Sequence, residues 1–215
     1  MTFIKNNKIK VLISSLLILS PIVAGLILWD KLPESVPIHW GINGEPDSVA
    51  GKGVAVFLMP CIMFALHFVC LIATSFDKRY KSQNKKVLQI VFWIVPAVTI
   101  AMQCAVFGAA LGYDFDVSNF ILPLIAVMFI FIGNYMPKAT QNRVYGIRIP
   151  WTMKSEANWD ATHRFAGKLW VMCGILALPL IFIPHPVKLW LLFALIFLAV
   201  LPPLFYSYIY YRKHK

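Results

Sequence analysis

Long apolar stretches separated by short polar segments occupy most of this chain. A helix needs roughly 20 mostly apolar residues to cross the hydrocarbon core of a bilayer, and six stretches come close to that length or exceed it. They cover residues 11–29, 54–76, 87–111, 120–135, 165–183 and 189–211. The pattern predicts an all-α integral membrane protein, folded as a bundle of six transmembrane helices.

Composition and charge support this interpretation and orient the helices. The chain is 60% hydrophobic and only 13% charged, which excludes an ordinary soluble domain and a disordered chain. If the N-terminus is cytoplasmic, 17 of the 20 Lys and Arg residues fall in cytoplasmic segments, and only Lys31, Lys52 and Lys188 fall outside. Cytoplasmic loops carry the excess of basic residues, so both termini are predicted to be cytoplasmic. The positive charge thus indicates a multi-pass protein of the plasma membrane, with the bilayer as its partner and no direct nucleic acid binding.

The spans and loops divide the chain into three predicted modules. Residues 1–86 hold two spans and a structured outer loop at 31–53, and residues 87–132 hold two central spans. Residues 133–215 hold a cytoplasmic loop, 133–164, followed by two more spans.

Within the spans, few side chains offer chemistry. His67 and Gln103 are the clearest polar residues at depth, where polar groups usually face the interior of a bundle. His67 either relays a proton or contacts a ligand, or it makes a structural hydrogen bond. Every span also contains proline, which favours kinked helices, and the cysteines show no metal or disulfide spacing. We expect no cofactor and no metal.

The first outer loop reads LPESVPIHWGINGEPDSVAGKG from Leu32 to Gly53. Its prolines, glycines and tight-turn pair Asn43-Gly44 indicate a shaped loop, in which His39 and Asp47 are candidates for a hydrogen-bonded pair. The candidate recognition residues are Pro37, His39, Trp40, Gly41, Asn43, Gly44 and Asp47. The acids of this loop favour a cationic ligand such as a basic peptide. Two alternatives stay open: the loop is a compact cap on the membrane, or its acids only replace excluded Lys and Arg.

The second marked segment is the predicted cytoplasmic loop. Ser155 is predicted to cap a helix that continues into the fifth span, with Trp159 as an interfacial anchor. The candidate residues of a partner surface are Asn142, Arg143, Gly146, Arg148, Pro150, Trp151, Thr152, Trp159, His163 and Arg164. An enzyme would need His163 as a base supported by Asp160 or Glu156, but no nucleophile or catalytic motif accompanies them. We therefore expect a protein that is not an enzyme.

These two segments together resemble the SdpI family, immunity membrane proteins against a secreted sporulation-delaying toxin. The resemblance lies in LPESVPIHWGINGEPD, in NRVYGIRIPWT from Asn142 to Thr152, and in NWDATHRFAGKL from Asn158 to Leu169. It implies a six-span protein that protects its own cell from a membrane-active peptide. It also implies capture of a transcriptional repressor at the membrane when the toxin is present.

Two other classes of function remain as alternatives. One is a membrane transporter or membrane enzyme acting on a lipid or small solute, with His67, Gln103 and His163 on the working path. The other is a passive scaffold for a partner membrane protein.

Overall fold

The computed structural model describes residues 2–77 and 79–214 and contains six helices long and apolar enough to cross a membrane. They are α2 (Lys8–Ile27), α3 (Lys52–Phe76), α4 (Lys85–Ala110), α5 (Val117–Tyr135), α7 (Glu156–Ala177) and α8 (Val187–Lys213). Two short helices, α1 (Thr2–Asn6) and α6 (Pro150–Lys154), complete the set of α-helices in the described ranges. The six predicted spans are confirmed. The cytoplasmic position of the termini stays a prediction, and Lys78 and Lys215, two of the basic residues that support it, lie outside the described residues.

Many large apolar side chains lie exposed on the long helices. Ile9 is 74% exposed, Phe205 66% and Phe182, just beyond α7, 82%. Soluble proteins rarely leave so much apolar surface in water. The exposed side chains therefore match a lipid environment.

In residues 2–77 and 79–214, β-structure consists of a two-stranded antiparallel sheet between α2 and α3. Its strands are β1 (Ser35–Trp40) and β2 (Pro46–Gly51). Ser35 lies opposite Gly51, Pro37 opposite Val49, and the register shifts between Pro37 and Trp40. The predicted shaped loop is thus a β-hairpin, because pairing the strands satisfies backbone groups that a helix-free loop would leave unpaired.

The chain separates into two compact units. The first unit comprises Met1–Ile72 and Ile90–Leu124, and the second comprises Ala73–Gln89 and Ile125–Lys215. In the first unit, α2 buries Ser14, Ile18, Pro21 and Gly25, which recur at the spacing of one helix face.

Two polar side chains predicted at membrane depth are buried in this first unit. His67 is fully buried, and its Nε2 lies 2.8 Å from the Ser14 hydroxyl. Gln103 is 2% exposed and donates from Nε2 to the Ala55 carbonyl at 2.8 Å. Both bonds join residues that are far apart in sequence. The bond between His67 and Ser14 is of the structural kind that was one alternative for His67.

In the second unit, α7 and α8 pack along their length. Asn158 donates to the Ser207 carbonyl at 3.0 Å and accepts from the Ser207 hydroxyl at 2.9 Å. Further along, Trp170 Nε1 donates to the Ala199 carbonyl at 3.0 Å. These bonds hold the start of α7, which carries several predicted site residues, against α8.

Proline affects the end of α7. The α-helix stops at Ala177 and continues as a 3₁₀ helix, Leu178–Phe182, with Pro179 in its first turn. A proline ring excludes a regular α-helical bond at its own nitrogen. The prolines of the other five spans lie inside α-helices.

Candidate functional site

The β-hairpin presents the first group of predicted site residues. Gly44 adopts φ +81° in its turn, a conformation that glycine reaches without steric cost. The turn is closed by a bond of 2.9 Å from the Gly41 N–H to the Glu45 carbonyl. His39 Nδ1 lies 2.5 Å from Asp47 Oδ1, and these side chains are 69% and 50% exposed. The predicted pair therefore exists, and it faces solvent.

The other hairpin candidates are placed by the same backbone. Asn43 is exposed at the turn, whereas Pro37, Trp40, Gly41 and Gly44 are half-buried. Val36, on the opposite face of β1, is fully buried. The hairpin is thus buried at Val36 and exposed at its His39–Asp47 pair.

The second group lies in a structure that we call the polar cap, formed by residues 77, 79–84 and 139–164 in the second unit. Ser155 begins α7 as predicted, because its hydroxyl accepts from the Asn158 N–H at 3.2 Å. The stretch from 139 to 149 has no regular secondary structure. Side chains of α7 and α6 satisfy much of its backbone instead.

Trp159 and His163 form the centre of the cap. Both are fully buried, and their rings stack with centroids 4.0 Å apart. Trp159 Nε1 donates to the Ala139 carbonyl at 2.7 Å. The Ile147 N–H donates to His163 Nε2 at 3.0 Å, so this nitrogen carries no proton. His163 is therefore neutral, with its proton on Nδ1, which donates to the Trp159 carbonyl at 2.8 Å.

Gly146 lets the loop pass directly over these rings. Its φ is +98°, and a β-carbon added there would lie 2.5 Å from His163 Nε2 and 2.9 Å from the Trp159 ring. Both the backbone conformation and the lack of space require glycine.

Polar side chains close the rest of the loop. The Asn142 carbonyl oxygen Oδ1 accepts from the N–H groups of Val144 and Tyr145 at 2.8 and 2.9 Å, an Asx-type turn. The Thr152 hydroxyl donates to the Ile147 carbonyl at 2.7 Å. Gln141 Nε2 donates to the Thr152 carbonyl at 2.7 Å.

A charged group from the segment after α3 completes the cap. Arg79 Nη1 donates to Gln141 Oε1 at 2.7 Å and to Glu156 Oε1 at 2.9 Å. The two Asp77 carboxylate oxygens each accept a backbone N–H at 2.8 Å, one from Arg79 and one from Arg143. The ion pair with Glu156 is solvent-exposed and so contributes little stability. The bonds to Gln141 and to the backbone fix the geometry.

A cavity of about 460 Å³ opens beside these charges, with Asp77, Arg79 and Arg143 among its walls. The nearby Tyr145 hydroxyl is buried without a hydrogen-bond partner among the described residues. Burial, reinforced by the negative charge of Asp77, raises the pKa of Tyr145. The cavity wall thus combines two guanidinium groups and one carboxylate.

The structure divides the predicted partner surface into exposed and buried residues. Arg143, Gly146, Arg148, Pro150 and Arg164 are exposed. The half-buried Trp151 packs against Tyr208, with ring centroids 5.3 Å apart. Four further members are buried: Asn142, Thr152, Trp159 and His163. A buried side chain cannot touch a partner, so these four hold the cap together, and the interfacial anchor expected at Trp159 is wrong.

Asp77, Arg79 and Gln141 organise the cap although none is among the predicted site residues. The bonds of Arg79 to Gln141 and Glu156, and of the Arg143 N–H to Asp77, span between 62 and 77 positions along the chain. Helical or strand periodicity therefore carries no trace of these contacts. One signal was available: Asp77 and Glu156 are rare acids in segments whose charges are mostly basic. Such acids are candidates for structural pairing.

Comparison with known proteins gives three findings. Residues 138–207 match the model of the SdpI/YfhL protein family, and residues 16–64 match a domain of unknown function, DUF1648. The "Immunity protein SdpI" of Bacillus subtilis (strain 168) is 30% identical to this chain over 206 residues, which cover 95% of this chain and 97% of the relative. No solved structure matches the chain. The chain is therefore a multi-pass cell-membrane protein that belongs to the SdpI family.

Proposed function

We propose that this protein protects the cell that makes it from a secreted, membrane-active peptide toxin. The observation that carries the proposal is the similarity to an immunity protein, which extends over 95% of the chain. The relative is named for immunity and not for a reaction, which agrees with a function other than catalysis.

In this proposal the hairpin lies outside the cell and meets the toxin. Its orientation rests on the distribution of basic residues, which are scarce in that loop and abundant in the segments on the other side of the predicted spans. The exposed pair of His39 and Asp47 supplies a polar contact beside exposed Ile38 and Val49. A peptide with both apolar and cationic side chains fits such a surface.

The polar cap lies in the cytoplasm in the same proposal, where it offers a surface to a transcriptional repressor. The exposed guanidinium groups of Arg143, Arg148 and Arg164 suit an acidic partner surface, because Arg forms directional hydrogen bonds with carboxylates. The buried members of the cap keep these arginines in place.

The test of immunity uses a Bacillus subtilis strain that lacks its own immunity protein and is killed by the sporulation-delaying toxin. Expression of this chain is expected to restore survival, whereas the empty vector does not. Equal killing in both, with the protein present in the membrane, contradicts the proposal.

The repressor is tested separately with the variants Arg143→Ala and Arg148→Ala. If the cap recruits a repressor, these variants keep full protection but lose the toxin-dependent expression of the repressed genes. Unchanged gene induction, measured with a reporter, contradicts a role of these arginines and leaves immunity intact.

A further inference from the structure

The direction of the backbone groups in the hairpin follows from its hydrogen bonds. The Lys52 N–H donates to the Glu34 carbonyl at 3.1 Å, so these residues form a hydrogen-bonded pair. Such pairs alternate with non-hydrogen-bonded pairs in an antiparallel ladder, and the register is unbroken from there to Pro37 opposite Val49. Pro37 and Val49 thus form a non-hydrogen-bonded pair. Their backbone groups point outward, away from the partner strand.

The two outer edges of the hairpin therefore differ. On β1 the outward positions are Ser35 and Pro37; Pro37 has no N–H to donate, and the register is irregular from there to Trp40. Proline and bulges are devices that block an additional strand. The edge of β1 is closed in this way.

The edge of β2 has no such block. Val49 directs its N–H and C=O outward and is 59% exposed. Beyond Pro46 the strand contains neither proline nor lysine. In residues 2–77 and 79–214, the backbone bonds of β2 go only to its partner strand in the hairpin. An open edge of this kind is a template for another strand.

The charge of the loop selects the kind of strand. Between positions 30 and 53 the chain has four acidic residues and only two basic ones. The acidic residues are Asp30, Glu34, Glu45 and Asp47. One of the two basic residues, Lys52, is already paired with Glu34 at 2.8 Å and lies 5.1 Å from the Trp29 ring centroid. Glu45 and Asp47 flank the beginning of β2 and are exposed. A cationic peptide complements this edge electrostatically.

We infer that an extended segment of the secreted cationic peptide binds as a third strand beside β2. The inference rests on the proposed immunity function and specifies how the toxin is recognised. Main-chain bonds to Val49 supply affinity, and the side chains of the peptide that share the face of Val49 supply an apolar contact. The carboxylates at the start of β2 attract its basic residues.

The decisive variant is Val49→Pro, which removes the outward N–H without removing a bond inside the hairpin. Loss of that bond is expected to weaken toxin binding and protection about tenfold. The matched variant Val49→Thr keeps the N–H and a β-branched side chain, so it is expected to lose much less protection than Val49→Pro. Val49→Pro protection at the wild-type level overturns the inference while leaving immunity in place.

A second measurement does not depend on survival or on the proline variant. The protein, labelled with ¹⁵N-valine and ¹⁵N-glycine in lipid nanodiscs, is mixed with purified sporulation-delaying toxin, and amide hydrogen exchange is followed. We expect exchange at Val49 and Gly51 to slow only when the toxin is present. Unchanged exchange overturns the inference, and slow exchange without toxin also overturns it, because it indicates pairing with a second copy of the chain.

Discussion

The hairpin and the polar cap are both rich in turn residues, but they use their marked side chains in opposite ways. In the hairpin, the backbone ladder and Gly44 set the geometry, and His39 and Asp47 remain exposed. In the cap, Trp159 and His163 set the geometry themselves and are fully buried. A dense sequence signature can therefore mark an exposed surface in one segment and a scaffold in another.

This difference has an energetic consequence that experiments can separate. A buried donor or acceptor that loses its partner costs about 1–3 kcal/mol, whereas an exposed ion pair contributes about 0–1 kcal/mol. Substitutions in the cap should lower stability first and function only as a result. Substitutions in the hairpin should alter function without altering stability.

The largest effect is expected from Gly146→Ala in the cap. Alanine is strained at φ +98°, and its β-carbon would collide with His163 and Trp159. Together these terms should cost roughly 2–5 kcal/mol and lower the thermal midpoint by about 5–15 °C. The measurement is thermal unfolding of the purified protein in detergent.

Gly112 provides the control for this variant. It has a similar φ of +79°, but a β-carbon there meets nothing within 4 Å. Gly112→Ala therefore carries the backbone strain without the collision. If both variants lower the midpoint equally, the close approach of the loop to the two rings is not what makes Gly146 important.

A smaller loss is expected from His163→Phe. Phenylalanine keeps the stacking on Trp159 but provides no acceptor for the Ile147 N–H, now bonded at 3.0 Å. The unpaired donor should cost about 1–3 kcal/mol, seen as a lower thermal midpoint. The structural role assigned to His163 fails if stability is unchanged.

His214 is a matched control because it repeats the local arrangement without the loop. Its Nδ1 lies 2.9 Å from the Tyr210 carbonyl, and its ring stacks on Tyr210 with centroids 4.1 Å apart. It is exposed, so His214→Phe leaves no buried donor unpaired. An equal loss in both variants would place the cost in the helix itself, not in the Ile147 bond.

The predictability of each region follows from the range of its interactions. The six helices follow from local apolar runs, and the Ser155 cap and the stacking of Trp159 on His163 follow from helical spacing. The bonds from Trp159 to Ala139 and from Arg79 to Glu156 join α7 to loop segments without periodicity. Burial of the cap depends on these long-range bonds, which is why exposed and buried members of the predicted surface looked alike in sequence.

The hairpin was predictable in part for a similar reason. The turn at Asn43-Gly44 and the pairing of His39 with Asp47 lie within nine residues of each other, so local turn chemistry indicated both. The strands themselves gave no clear alternation, because prolines and register shifts interrupt β1. Pairing between β1 and β2 overrides that weak local preference.

The smallest change in stability is expected from His39→Ala in the hairpin, and it gives the sharpest contrast with the cap. Both members of the pair are at least half exposed, so the thermal midpoint should move by no more than about 2 °C. If the hairpin binds the toxin, protection should nevertheless fall. Asp47→Asn keeps an oxygen that can accept from the imidazole but removes the negative charge. Weaker protection in both variants at unchanged stability therefore indicates an electrostatic contact with the toxin. A lower thermal midpoint in either variant would mean that the pair of His39 and Asp47, like Trp159 and His163, is part of the scaffold.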